Sequence, residues 1–266
     1  SGGAEEKPFE QGNKYLFMVI TSAGHYLSGA IAALKAKDPH AKVAIVYSDD
    51  PFSKAVTAAA AEQAKAAGLN VVMNASYAPS TTDFGPIVNK MITAGADAFL
   101  GGGHYADGAT LARQMYEQKA NMKFVAILVV PADNKFATMG AAAFGVTFPS
   151  PWVPQVSYKP EYGPTCAAFT KAFQAKYNQL PDYHAASGYA VGLVLQHALE
   201  QAKSIDTEKV AAALNATDIT FFFGKTKFAT DAKLHGRQVG HSMMLGKWQK
   251  EKGNMVKQIV WPSAAA

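Results

Sequence analysis

The chain has 266 residues, of which 49% are hydrophobic and 17% are charged, so it can bury a core as one large domain or as two of ordinary size. Its formal net charge of +5 comes from scattered lysines, with arginine only at Arg113 and Arg237, whereas nucleic-acid grooves cluster basic residues with aromatics; we therefore expect no nucleic-acid partner. The single cysteine, Cys166, excludes a disulfide within the chain, and no apolar run approaches the ~20 residues of a membrane span.

The start of the chain predicts one strand and one helix ahead of a more regular region. Residues 1–14 are polar and rich in glycine, and residues 14–20 are predicted to form a strand because they are largely apolar. Residues 25–37 carry apolar side chains at helical spacing and are followed by Asp38 and Pro39, which are expected to end the helix.

A strand-and-helix pattern then repeats across residues 42–111. Short apolar runs predict strands, and apolar residues at helical spacing predict helices between them, in the order 42–48, 55–67, 70–73, 83–93 and 97–100. Strands joined by helices form right-handed βαβ crossovers. The fold class is therefore α/β, with an open, largely parallel sheet covered by helices.

The pattern becomes mainly helical in the second half. A helix (109–118), a strand (124–130), a short helix (136–142) and a strand (145–148) complete the first region. The proline-rich stretch that follows is typical of a crossing between lobes, and it leads to helices over residues 164–177, 185–203 and 207–215. Cys166 lies in the first of these, where a buried, inert thiol is expected. Strand-like segments at 221–223, 225–228, 241–248 and 257–261 are expected to return to the first lobe.

The turn formed by residues 101–106 has the spacing G-x-G-x-x-G/A between a strand and a helix, as in dinucleotide-binding proteins. That fingerprint also requires an acidic residue ~20 positions later at the end of the next strand. Here Asp133 follows in a loop, and the turn follows the third strand rather than the first. The glycines can instead allow a sharp turn, or let a small ligand approach backbone amides at the carboxyl edge of the sheet.

Asp49 and Asp50 end the first central strand and resemble a magnesium-binding pair, but Asp97 begins its strand and would not converge with them. Asp50 before Pro51 is more simply a helix cap. The seven histidines have no metal-ligand spacing, and no G-x-S-x-G motif is present. We therefore expect no enzyme activity, no metal and no cofactor.

His104 follows a predicted strand beside the glycine-rich turn. It can donate a hydrogen bond to a ligand carboxylate or stack on Tyr105. Four aromatic residues lie at strand ends or proline-rich bends, where they either pack in the core or contact an apolar ligand: Phe52, Tyr105, Trp152 and Tyr183.

Placed in order, these segments resemble type I periplasmic solute-binding proteins, the family that serves branched-chain amino acid ABC importers. The resemblance is carried by residues 42–53, 77–84, 101–114, 139–146 and 181–190, and by the ending at 248–262. It spans nearly the whole sequence, although no single segment is as specific as a metal-ligand motif.

The resemblance implies two lobes with ligand bound in the cleft between them. It assigns residues 1–14 to a linker from lobe one, 15–148 to lobe two, 149–217 to the crossing and the helical part of lobe one, and 218–266 to strands that return to lobe two. The family's first strand and helix units have no counterpart before Ser1, so we expect lobe one to be incomplete. No export signal is visible, and an extracytoplasmic location is implied by the family.

By position, Gly2, Gly3 and Ala4 resemble the lobe-one loop that meets a ligand carboxylate, and Phe52, Gly103 and His104 resemble lobe-two positions that close over the ligand. The predicted ligand-binding set is completed by Tyr105, Asp133 and Trp152.

The family's amino-acid binders place an acidic residue near Asp133, which is shifted here, and often an aromatic where Gly103 stands. The ligand therefore stays open between an amino acid and an organic, possibly aromatic, acid. The implied function is capture of this ligand for a membrane permease by a monomer. The alternatives are a ligand sensor of the same fold and, less favoured, an NAD(P)-dependent enzyme.

Overall fold

The chain crosses repeatedly between two units in a computed structural model that describes residues 4–262. Within these residues, unit 1 comprises the chain up to residue 23 and residues 151–242. Unit 2 comprises residues 24–150 and the chain from residue 243 onward. Each unit is thus assembled from two separate segments.

The strands, in chain order, are β1 (Lys42–Ser48), β2 (Asn70–Tyr77), β3 (Ala98–Gly102), β4 (Phe124–Ile127), β5 (Thr147–Ser150), β6 (Asp218–Phe221), β7 (Gly224–Lys227), β8 (Met244–Glu251) and β9 (Asn254–Trp261). The α-helices are α1 (Ser28–Lys37), α2 (Pro51–Ala66), α3 (Gly85–Thr93), α4 (Tyr105–Glu117), α5 (Cys166–Tyr177), α6 (Tyr183–Ala202) and α7 (Thr207–Asn215). Short 3₁₀ helices occur at Lys7–Gln11, Ala23–His25, Val130–Ala132 and Asn134–Ala142.

Unit 2 is built on a seven-stranded sheet in the order β2-β1-β3-β4-β5-β8-β9. The first five strands pair in parallel, and β8 and β9 add to one edge as antiparallel strands. The predicted parallel α/β sheet is therefore confirmed. In this order the chain runs from β1 to one side and then returns to place β3 on the other side, so β1 and β3 flank a topological switch point.

The carboxyl end of β3 lies unusually close to β1. Gly101 has φ +138°, and a Cβ at this position would overlap the carbonyl oxygen of Val46 in the neighbouring strand. Gly102 also has a positive φ of +94°. Glycine is needed here because other residues rarely adopt this conformation and none could fit against the Val46 carbonyl.

Unit 1 contains α5, α6, α7 and the β6–β7 hairpin. At its core Trp152, which is fully buried, packs edge-on against Phe169 and Phe222 at ring-centroid distances of 5.8 and 6.0 Å. The Trp152 indole and the Cys166 thiol both donate to the Phe222 carbonyl, at 3.2 and 2.9 Å. The expected burial of Cys166 is therefore confirmed, and burial raises the pKa of its thiol.

Two groups of residues predicted for lobe two belong to unit 1 instead. Residues 14–20 form no strand; within the described chain they contribute one isolated bridge, between Met18 and Arg237. The hairpin after residue 217 stays in unit 1 because Phe221, Phe222 and Phe223 are completely buried there. The predicted boundaries 15–148 and 218–266 thus differ from those of the structure by residues 15–23, 149–150 and 218–242.

The strand predicted for residues 124–130 is shorter than expected. Val129 adopts φ +59°, which a β-branched residue rarely does, and Pro131 follows it. These two residues turn the chain out of β4. None of the helices between residues 4 and 262 combines the length and the apolarity needed to cross a membrane.

We expect Gly101→Ala to destabilise the protein by about 2–4 kcal/mol, because it combines a strained backbone with a clash against Val46. Gly253→Ala is the matched control: its φ is also positive, at +86°, but nothing lies within 4 Å of its added Cβ, so about 1 kcal/mol is expected. Urea unfolding followed by circular dichroism would measure both. Equal losses would show that the close approach to Val46 has no energetic weight.

Candidate functional site

The topology of unit 2 brings two loops together at one edge of the sheet. β1 and β3 are parallel neighbours, with Tyr47 opposite Gly102. The segments that follow them, residues 49–52 and 103–105, therefore leave the sheet side by side. Open α/β sheets bind ligands at this position, outside the carboxyl ends of the strands at the switch point.

Asp50 shapes the first loop as the N-cap of α2. Its carboxylate accepts hydrogen bonds from the Ser53 backbone N–H at 2.9 Å and the Ser53 hydroxyl at 2.8 Å. The predicted capping role is therefore confirmed. Burial alone would raise the pKa of Asp50, but the hydrogen bonds from Ser53, then the Ser48 hydroxyl and the charge of His104, together outweigh it and lower that pKa. Asp49 instead pairs with Lys54.

Three rings form what we call the aromatic shelf: Tyr26, Phe52 and His104. Phe52 packs edge-on against the buried Tyr26 at a centroid distance of 5.3 Å and lies 5.9 Å from the imidazole of His104. The His104 side chain is 60% exposed, and its Nε2 lies 3.5 Å from Asp50 Oδ1. The structure thus places the exposed imidazole of His104 beside Phe52.

A buried carboxylate supports the second loop. Asp107 is only 8% exposed and accepts hydrogen bonds from the backbone N–H groups of His104 at 2.8 Å and Gly108 at 3.0 Å, and from the Tyr77 hydroxyl at 2.7 Å. Burial and the hydrogen bond to Asp107 raise the pKa of Tyr77, which keeps its hydroxyl a donor. A Cβ at Gly103 would overlap the Asp107 carboxylate, so the loop requires glycine there.

Sequence reasoning missed Asp107 and Tyr77. A signal for Asp107 was present, because an acidic residue at the third position of a helix commonly accepts from the backbone N–H of the N-cap residue. No local signal pointed to Tyr77, because it lies 30 residues from Asp107 and the two meet only through the sheet.

A third loop carries Asp133, which caps the 3₁₀ segment after it by accepting from the Lys135 N–H at 2.7 Å. Residues of the antiparallel strands β8 and β9 hold the backbone just before Asp133. The Trp248 indole donates to the Pro131 carbonyl at 2.7 Å, and the Lys257 ammonium donates to the Ala132 carbonyl at 2.5 Å. Tyr105 is 40% exposed; burial and, second, the negative charge of Asp133 raise its pKa.

The remaining predicted site residues lie in unit 1 or outside the described chain. Gly2 and Gly3 lie outside the described residues. Ala4 is buried, and its carbonyl accepts from the Ala23 N–H at 2.8 Å. Trp152 belongs to the core of unit 1 rather than to a ligand contact, because its ring is completely buried and its indole N–H is bound to Phe222.

The dinucleotide interpretation of residues 101–106 is poorly supported by these contacts. Gly101 and Gly103 are explained by packing against Val46 and Asp107. The carboxylates of Asp50 and Asp107 lie at the turn, where a pyrophosphate would bring further negative charge. Among residues 4–262, no group of three His, Cys, Asp or Glu side chains could hold a metal ion.

The strand order makes unit 2 a doubly wound α/β fold, a class in which ligands bind outside the carboxyl ends of the strands. A family model described as periplasmic binding protein matches residues 1–254. The chain belongs to this family, and its relatives identify it as a type I periplasmic binding protein of the branched-chain amino acid group.

Three relatives illustrate the match. Leu/Ile/Val-binding protein homolog 7 of Brucella suis is 30% identical over 236 residues, which cover 85% of this chain and 56% of that protein. A leucine-, isoleucine-, valine-, threonine- and alanine-binding protein from Brucella ovis, solved in a closed conformation, superposes with a TM-score of 0.82 at 18% identity, covering 97% of this chain and 67% of that one.

A solute-binding protein from R. palustris, solved in complex with 4-hydroxybenzoate, superposes with a TM-score of 0.80 at 20% identity over 97% of this chain and 69% of that one. The two solved structures show the shared fold. The chain spans a little over half, 56%, of the length of the curated relative from Brucella suis.

We expect Asp107→Ala to destabilise the protein by about 2–3 kcal/mol, because it leaves the His104 N–H and the Tyr77 hydroxyl without this acceptor, while the Gly108 N–H keeps the His104 carbonyl at 3.1 Å. Tyr77→Phe removes one hydrogen bond and should cost about 1 kcal/mol. Chemical denaturation of the two variants against the unchanged protein would measure the difference. A Tyr77→Phe loss as large as that of Asp107→Ala would contradict a role of Asp107 in holding the His104 loop.

Asp50→Asn tests the lowered pKa of Asp50, since asparagine still caps a helix but carries no charge. A carboxylate whose pKa is lowered by folding stabilises the protein above its unfolded pKa of about 4, and this contribution disappears as pH falls through the folded value. At pH 7 we expect the variant to be about 1 kcal/mol less stable. As pH falls through the lowered folded pKa, the two unfolding free energies should converge; a pH-independent difference would refute this assignment.

Proposed function

We propose that this chain is the ligand-binding part of an extracytoplasmic substrate-binding protein of an ABC importer, and that it captures a small carboxylate-bearing ligand without chemically changing it. The observation that carries the proposal is the exposed His104 ring beside Phe52 at the switch point of the sheet. Such a position offers an apolar surface and a polar donor to the same small molecule.

A ligand carboxylate at this edge would be bound through His104, because Asp50 and Asp107 already accept from the backbone N–H groups at the N-termini of α2 and α4. A His104 ring N–H can donate to the carboxylate, and Phe52 supplies a ring against which an apolar side chain or an aromatic ring can pack. Asp50 lies close enough to orient the imidazole.

The choice between an amino acid and an organic acid depends on a partner for an α-ammonium group. Asp133 is a candidate, but its carboxylate is already engaged as a helix cap. Relatives support both classes, since the Brucella ovis protein is described as binding leucine and other amino acids and the R. palustris protein was solved with 4-hydroxybenzoate. A ligand screen must therefore contain both.

A non-enzymatic role is part of the proposal. The family consists of substrate-binding proteins, and the predicted site residues supply packing and hydrogen bonds rather than an activated nucleophile. Delivery of the ligand to a membrane permease, an extracytoplasmic location and a monomeric state are proposed on the family relationship, and contacts from Gly2, Gly3 and Ala4 stay predictions. Stimulation of a partner transporter's ATPase by the loaded protein would separate transport from sensing.

Calorimetric titration with leucine, isoleucine, valine, benzoate and 4-hydroxybenzoate tests the proposal. We expect one class to bind with a micromolar or tighter Kd, which corresponds to about −8 kcal/mol or better. Phe52→Ala should weaken binding by about 10- to 100-fold through lost packing, and His104→Ala by about tenfold through a lost hydrogen bond.

Phe144→Ala is the matched control, because Phe144 is a 57% exposed aromatic of unit 2 outside the aromatic shelf. Its Kd should stay within about twofold of the unchanged protein. Failure of every ligand to bind, or equal weakening by Phe52→Ala and Phe144→Ala, would refute a ligand site at the aromatic shelf.

A further inference from the structure

Unit 2 has a cavity at the amino ends of its parallel strands, which we call the amino-edge cavity. Its volume is about 410 Å³, within the range of small-molecule pockets. It is lined by residues from the start of β4 and β5, from β8 and β9, and from the last turn of α1. Since parallel strands share their direction, this edge is opposite the one that carries the aromatic shelf.

Strand register explains how the cavity acquires a mixed lining. Leu245, Lys247 and Gln249 alternate along β8, so their side chains lie on one face of the sheet. Lys247 is opposite Thr147 on β5, and Leu245 is opposite Trp261 on β9. The apolar side chains of Leu245 and Trp261 therefore line the cavity next to the polar side chains of Lys247 and Thr147.

Positive charge gathers around this cavity. Lys37, Lys123 and Lys247 line it, and among the described residues that line it none is acidic. The Lys37 ammonium donates to the Lys123 carbonyl at 3.3 Å, which links α1 to the start of β4. Asp97 neutralises Lys123 through an ion pair at 2.9 Å. Of the three lysines, Lys37 and Lys247 are thus the two that form no ion pair within residues 4–262.

From this lining we propose that the amino-edge cavity is a second binding site, for a small organic anion that has an apolar body, such as an aryl or short acyl carboxylate. The two lysines bind the carboxylate, and Trp261 and Leu245 pack against the body. The inference does not depend on the aromatic shelf, because the two sites share no residue.

Nuclear magnetic resonance gives a local readout. The three tryptophans give three indole N–H signals, and Trp152 and Trp248 are buried with their indoles bound to backbone carbonyls. On titration with benzoate or hexanoate we expect the Trp261 signal to shift saturably while the other two stay. Trp261→Phe assigns the signal. Benzamide, which lacks the charge, and inorganic phosphate, which lacks the apolar body, should bind at least about tenfold more weakly.

Lys37→Gln combined with Lys247→Gln should weaken benzoate binding at the Trp261 signal by about tenfold or more. Lys250→Gln combined with Lys252→Gln is the control. Both lysines are exposed and lie outside the cavity, and the two substitutions remove the same amount of positive charge as Lys37→Gln with Lys247→Gln. Phe52→Ala should leave the Trp261 response unchanged. Equal weakening by the control pair, phosphate binding as tight as benzoate, loss of the response in Phe52→Ala, or no saturable shift would overturn the proposal.

Discussion

The candidate ligand edge of unit 2 depends on one buried carboxylate. The Asp107 carboxylate accepts a hydrogen bond from the backbone N–H of His104 and another from the hydroxyl of Tyr77 at the end of β2. Because Asp107 occupies the space beside Gly103, the loop after β3 cannot carry a side chain there and turns tightly into α4. The exposed imidazole of His104 is thus positioned by a buried hydrogen-bonded framework.

That framework also explains why the glycine-rich turn resembles a nucleotide-binding motif. In dinucleotide-binding proteins the glycines make room for a pyrophosphate. Here the space beside Gly103 is filled by a side chain of the protein, and Gly101 lets β3 approach β1. The same residue spacing therefore serves internal packing, and the ligand-facing groups are the ring side chains at the ends of the two strands.

The parallel sheet was predictable from sequence because each of its strands is a short apolar run between helical segments, as in Val43–Val46 of β1. Phe52 and His104 were also predictable as edge residues, since they directly follow strands. The Tyr77–Asp107 pair was not, because local patterns carry no information on contacts between distant segments. Trp152 and residues 221–223 were misplaced for the same reason: the sequence shows that these residues are aromatic but not which part of the fold buries them.

The loop that carries Asp133 has a consequence for how the protein matures. Its carbonyls are held by Trp248 and Lys257, which the ribosome adds more than 100 residues later, after the whole of the second segment of unit 1. Contacts of such long sequence separation form late and slowly. During synthesis, unit 2 therefore exposes the β5 edge of its sheet while unit 1 is being made. Export pathways that keep the chain unfolded until it is complete would remove that period of exposure.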